Sequence, residues 1–367
     1  MRSQNRLLLV SLCLLAGLVA CDGSLTPEGG APPGDAPGSG SAKAIEVPCE
    51  QHSDPRLALM NDAGIQLASL RGLASGRYAL PTTAAPDTMV VMFHGHGNDS
   101  CSWRRHLQAA AGKGAVAVAM DYTGQLQVPS ENYGWCVRAG AADSIAAAQF
   151  FMKQYPSISR VIAFAVSMGG NVAGYAVADS TAKRADGSPL FDSWVAIEGV
   201  HDLTQEYGII RGIADVNADA ALAKEEIERE NGGTIEQQPE AYSEITNTLR
   251  AGDMAYLKGV VLVHAQDDGL VPTAQSREMF SALNGMGVPT HLYSVGLNET
   301  GERDTNATAI VLGPVFGALG QDYASPLAGH AWEGSSEHIV MRTGLEQLYA
   351  LMEGGEVSSG ETPVPGQ

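Results

Sequence analysis

Arg160-Val161-Ile162-Ala163-Phe164-Ala165-Val166-Ser167-Met168-Gly169-Gly170 is the stretch that decides the architecture. Strand-forming residues run straight into a serine, and the Ala/Val/Gly-rich segment from Asn171 to Asp179 continues as a helix. A sharp strand-to-helix turn exposes a serine hydroxyl to both a base and a substrate, which this weak nucleophile needs in order to react. The glycine pair after Ser167 lets the turn close. Ala165 stands where the usual elbow has glycine, the smallest departure available.

Outward from this elbow the chain alternates strand and helix, as a parallel sheet wrapped by helices does. Thr88 to Phe93 is continuously apolar, as a strand buried on both faces should be. Helices are expected at about Trp103–Lys113 and Ala141–Tyr155, and strands at Ala115–Met120, Val161–Val166, Trp194–Ile197, Val260–Val263 and His291–Val295. The final helix is expected from about Ser336 to Met352, where Ile339, Val340, Leu345, Leu348 and Leu351 recur at near-helical spacing.

Residues 1–20 read as a secretory signal: Arg2 and Arg6 precede an apolar run, Leu7 to Leu18, that is short for a membrane span. Its end, Leu18-Val19-Ala20-Cys21, resembles the lipobox of bacterial lipoproteins. That resemblance implies cleavage before Cys21, acylation of its sulfur, and a place in the cell envelope, periplasmic or surface-facing, with the membrane as partner through the anchor. Residues 21–44 are rich in Gly, Pro and Ser and read as a flexible tether, as do residues 354–367 at the other end. Residues 45–353 are expected to form one domain. A net charge of −19 weighs against nucleic acid as a partner, because phosphate binding needs clustered Lys and Arg. Cys49, Cys101 and Cys136 are the mature thiols beyond the anchor. A Cys101–Cys136 bridge would brace the rim of the site, although connectivity does not follow from spacing.

In this order and context the motifs resemble those of the α/β-hydrolases. They are His94-Gly95-His96-Gly97 after an early strand, the Ser167 elbow, His264-Ala265-Gln266-Asp267-Asp268-Gly269-Leu270-Val271-Pro272 after a later one, and Gly329-His330 before the last helix. The resemblance, over about residues 85 to 352, implies a mostly parallel eight-stranded sheet flanked by helices and a triad in the order serine, acid, histidine. Laid on the pattern His-Gly-x-x-Asp-x-x-Val-Pro, the acid falls at Asp268, with Asp267 as the fallback. The base must follow the acid, which leaves His291, His330 and His338. His291 lies in an expected strand and His338 early in the last helix; His330 lies in a loop free to approach Ser167. The oxyanion donors are expected to be the backbone amides of Met168 and His96. His94-x-His96-x-x-Asp99 superficially resembles a metallo-hydrolase ligand cluster, but Ser100 stands where that pattern carries its next histidine, and neither metal nor cofactor is expected.

Residues from about 200 to 255 form an insertion that in this family caps the acyl pocket. Its run Lys224 to Glu230 reads as a solvated helix face. Glu198, His201 and Asp202 read as hydrogen-bonded scaffolding, with a second functional cluster as the alternative. Serine peptidases of the prolyl oligopeptidase type share the domain but carry a propeller in front. Fewer than fifty residues between the tether and the first apolar strand leave no room for one at ~40–50 residues per blade. The expectation is therefore a serine esterase, lipase-like, acting on an ester-type substrate through an acyl-enzyme. A small peptidase of the same fold and a non-catalytic binding protein are the alternatives.

Overall fold

The computed structural model describes residues 43–45, 63–69, 72–83, 85–122, 134–266, 268–296, 330–331, 333 and 338–366. Residues 1–20, Cys21, most of the expected tether, Cys49, Gly329 and nearly all of the long segment before His330 lie outside the described residues.

Among the described residues ten strands form one sheet: β1 (Lys43–Ile45), β2 (Ala63–Ser69), β3 (Gly72–Ala79), β4 (Thr88–Phe93), β5 (Val116–Met120), β6 (Arg160–Val166), β7 (Ser193–Ile197), β8 (Gly259–Ala265), β9 (Thr290–Val295) and β10 (Gly360–Val364). Their order is β1-β2-β3-β5-β4-β6-β7-β8-β9-β10. The pairs β1/β2, β2/β3 and β3/β5 are antiparallel, and every pair from β5/β4 onward is parallel. The expected eight-stranded sheet is β2 to β9, and one strand extends it at each edge.

Helices cover both faces: α1 (Arg104–Gly112), α2 (Val137–Gln154), α3 (Met168–Val177), α4 (Leu203–Ile213), α5 (Ala218–Asn231), α6 (Pro239–Glu244), α7 (Thr273–Gly285) and α8 (Ile339–Met352). Strand β4 shows why its sequence is apolar without alternation. Met89, Val91 and Phe93 join the core beneath α2 and α3, while Val90 and Met92 join the core formed with Trp103 and Leu107 beside α1 and with Val340 and Leu348 of α8. A strand buried on both sides has no solvent face for polar residues.

Two boundaries need correction. β1 begins at Lys43, two residues inside the expected tether. The tail from 354 is not wholly a flexible segment, because Gly360–Val364 pairs in parallel with His291–Val295. His291 fastens that pairing, its ring nitrogens lying 2.8 Å from Ser358 O and 2.8 Å from Thr362 Oγ1. An edge strand held by backbone bonds needs no apolar run, so hydrophobic periodicity does not reveal it. Among the described residues no helix is long and apolar enough to cross a membrane.

Candidate active site

The parallel strands deliver the chemical groups at their carboxyl ends. β6 ends at Val166, and Ser167 follows with φ 55° and ψ −129°, a conformation that costs a non-glycine residue on the order of 1–3 kcal/mol. Neighbours fix it there: the Ser167 N–H donates to Ile197 O (2.9 Å), and Ser167 O accepts from the N–H groups of Gly170 (2.8 Å) and Val200 (3.1 Å). The following residues are glycine because space demands it. A Cβ at Gly169 would lie 2.2 Å from Phe93 O, and one at Gly170 would lie 2.5 Å from the Gly199 Cα.

Asp268 and His330, the expected acid and base, lie in contact. His330 Nδ1–H donates to Asp268 Oδ2 at 2.8 Å, and Asp268 Oδ1 accepts the N–H groups of Leu270 (2.8 Å) and Val271 (3.0 Å). With the proton fixed on Nδ1, Nε2 is the nitrogen left to act as a base. Burial pushes the Asp268 carboxyl up, but the His330 charge, with hydrogen bonds from His264 and His330, holds it well below the usual carboxylate range. The fallback Asp267 lies outside the described residues. His338, the third candidate base, instead caps α8, its Nδ1 accepting the Val340 N–H at 3.3 Å.

Glu333, three residues beyond His330, brings the base's loop against the nucleophile. Its Oε1 accepts the Gly95 N–H and its Oε2 accepts from Asn98 Nδ2 at 2.8 Å. A Cβ at Gly95 would lie 3.2 Å from the Ser167 Cβ and 3.4 Å from Glu333 Oε1. The Gly95 amide is thus occupied, and the next amide in this turn is that of His96. Met168 opens α3, where the first N–H groups have no acceptor within the helix. Burial, opposed by the Gly95 N–H, raises the Glu333 carboxyl to about 7. No sequence pattern marks Glu333, and only its nearness to His330 points to it.

His94 and His96 serve different neighbours. His94 is fully buried, stacks on Tyr122 with centroids 3.9 Å apart, and is pushed down to about 4 by burial. His96 bonds through Nε2 to Glu226 of α5. The Asp99 carboxylate accepts the Cys101 N–H and caps the 3-10 turn Ser100–Trp103. Among the described residues, the acidic and histidine groups close enough to share an ion are Glu198, Asp268 and His330, the surroundings of the triad itself.

The insertion between β7 and β8 carries α4, α5, α6 and the 3-10 segment Asn247–Met254. Its acidic run is not simply a solvated face. Glu226 and Glu230, four residues apart and so on one side of α5, turn inward, Glu226 to His96 and Glu230 to the Arg138 N–H (2.9 Å). Of the scaffolding trio, Asp202 caps α4 through the Gln205 N–H (3.0 Å), and His201 is buried edge-on to Trp194. Glu198 stands apart from both, beside His330. The Cys101–Cys136 bridge is not formed: Cys101 is in a disulfide whose partner lies outside the described residues, and Cys136 keeps a buried thiol. Cys136 opens α2, packed in the core under the sheet, whereas Cys101 lies beside Arg77 of β3, with Arg77 Nε 3.0 Å from its sulfur.

Comparison with known proteins agrees with the fold. The Mycobacterium tuberculosis puromycin-hydrolyzing peptidase is 16% identical at a TM-score of 0.52, over 83% of this chain and 42% of that one. A puromycin hydrolase is 17% identical at 0.51, over 82% and 40%. The Pyrococcus horikoshii acylaminoacyl peptidase is 16% identical at 0.46, over 63% and 36%. The chain thus spans 36 to 42% of the length of these structures. At such identities the two likenesses above 0.5 speak for the fold alone. No curated protein matches the chain. The profile of the prolyl oligopeptidase family matches residues 100–300, which hold the elbow serine and the acid that meets His330. The chain belongs to the prolyl oligopeptidase family of serine hydrolases with the α/β-hydrolase fold.

Proposed function

We propose that the protein hydrolyses carboxylic acyl bonds through an acyl-enzyme on Ser167, with short peptides or N-acyl amides as its first substrate class. The observation that carries this reading is the 2.8 Å bond from His330 Nδ1–H to Asp268, in a loop packed against the elbow. His330 Nε2 takes the Ser167 proton as the oxygen attacks the carbonyl carbon, and the amides of Met168 and His96 receive the oxyanion. The same nitrogen then returns the proton to the leaving group, and water repeats the cycle to free the acid. Family membership supports the amide class.

Carboxylic esters are the second reading. It is favoured by the compact helical cap built within the domain itself, which α5 fastens to the oxyanion turn through Glu226 and His96. We further propose that Cys21 is acylated and holds the protein in the cell envelope.

The experiment sets peptidyl p-nitroanilides beside p-nitrophenyl esters of graded chain length, with Ser167→Ala as control. Anilide turnover that vanishes in the variant is the expected result. Ester turnover without any anilide or peptide cleavage establishes the second reading. Equal turnover by wild type and Ser167→Ala refutes both.

A further inference from the structure

We propose that Glu198 is a second carboxylate of the catalytic histidine: a positioning residue that holds the His330 loop and shares with Asp268 the charge of the imidazolium. The inference rests on the serine-hydrolase reading of Ser167 and His330.

Topology puts Glu198 in the right place. β6, β7 and β8 are adjacent and parallel, and Ser167, Glu198 and Asp268 follow their carboxyl ends. Glu198 is therefore between nucleophile and acid. It has a φ of 48°, a left-handed backbone that costs a residue with a Cβ, and strain of this kind collects where geometry serves function. Its side chain is fully buried.

Each of its oxygens has a defined task. Oε1 accepts the N–H of Ala265, at the end of the strand that leads to Asp268, at 3.2 Å. Oε2 accepts the N–H of Ala331, the residue after His330. One side chain thus ties the acid's loop to the base's loop. Both oxygens thus serve as acceptors, and an amide in this place would meet one of those donors with its own NH₂. The same Oε2 lies 3.6 Å from His330 Nδ1, where Asp268 Oδ2 lies at 2.8 Å. When His330 takes the Ser167 proton, the new positive charge faces two carboxylates in a buried site, where charges act strongly on one another. Among the described residues, the other titratable groups near this ring are Glu333 on its own loop and His264, whose Nε2 is 3.3 Å from Asp268 Oδ2.

A purely structural brace and a second carboxylate differ in what they do to the base. The test measures the labelling rate of the full chain by a fluorophosphonate probe against pH, for wild type, Glu198→Gln, Asp268→Ala, the double variant and Ser167→Ala. Labelling of wild type and none of Ser167→Ala is expected. In Glu198→Gln the pH midpoint should fall by about one unit, because the imidazolium has lost a carboxylate neighbour. Asp268→Ala should keep labelling, slowed roughly a hundredfold where removing a lone acid costs on the order of 10⁴-fold. The double variant should lose at least about ten times more. An unmoved midpoint in Glu198→Gln, with a double variant as fast as Asp268→Ala, would reduce Glu198 to a brace and overturn the proposal. If Glu198→Gln does not fold, Asp268→Ala decides alone, since a loss near 10⁴-fold is the lone-acid result. A folded wild type that no probe labels would overturn the serine-hydrolase reading itself, an outcome distinct from these.

Discussion

Replacing Glu333 with glutamine should make the protein more stable at high pH and leave its stability almost unchanged at low pH. Glu333 is fully buried, and burial raises its carboxyl from 4.5 to about 7. A carboxyl raised in the folded state stays protonated there while the unfolded chain already ionises. Its contribution is therefore fully present below about pH 4.5, falls as pH rises, and levels off above about 7. Each pH unit between the two values costs ~1.4 kcal/mol, so the loss across the window is about 3 kcal/mol. Glutamine cannot ionise; its carbonyl oxygen can still accept the Gly95 N–H, and its NH₂ meets Asn98 once that side-chain amide turns its oxygen toward it. Urea unfolding of wild type and Glu333→Gln, at intervals from pH 4 to pH 8.5, gives a difference curve in which the other titrating groups cancel. Glu206, raised by burial to about 8, and Asp268, held low, are among them. The variant should gain about 3 kcal/mol on wild type over that range, most of it before pH 7. A flat difference curve would show that Glu333 is not held protonated, and one of opposite sign would mean that the ionised carboxylate stabilises the turn it binds.

The remaining predictions concern the elbow and the anchor. Gly169→Ala places a Cβ 2.2 Å from the Phe93 carbonyl oxygen, so the elbow must move. It should cost about 3 kcal/mol in unfolding experiments and slow turnover on the order of 10²-fold. Gly208→Ala, on α4 where an added Cβ meets nothing within 4 Å, should instead stabilise by about 0.5–1 kcal/mol; similar effects of the two changes would refute the packing argument. Membrane-fraction protein should incorporate labelled palmitate and Cys21→Ala should not, while an unlabelled wild type would end the anchor proposal.

Much of the fold could be read from the sequence, because a sheet buried on both faces writes itself as apolar runs. Thr88–Phe93 occupies the expected residues, and β6, β8 and β9 shift by one or two. The edges could not be read this way. β2 and β3 lack such runs, and β10 pairs through its backbone with a strand more than sixty residues earlier. The same division runs through the site. Ser167, Asp268 and His330 could be singled out because each lies in a local turn with its own small motif, and the structure brings the last two into contact. The polar wiring behind them was not, since each bond joins residues far apart in sequence: Glu333 to Gly95, Glu226 to His96, Glu198 to Ala331.

Local composition can mislead about such groups, and the run Lys224 to Glu230 shows how. Seven residues with six charges read as surface, yet helical geometry sends Glu226 and Glu230 to the same inward side, toward His96 and Arg138. Counting charge places this run on the outside, whereas asking which charges share a helical face and whether hydrogen-bond donors wait opposite would have placed two of them inside. The same question applied to the strand ends would have singled out Glu198. An acidic residue one step past a wholly buried strand, between the strands of a nucleophile and an acid, must find donors or a cation there, because a buried carboxylate left without them costs several kcal/mol. In this fold Ala265, Ala331 and the ring of His330 meet that need, and they are the groups through which Glu198 acts on the base.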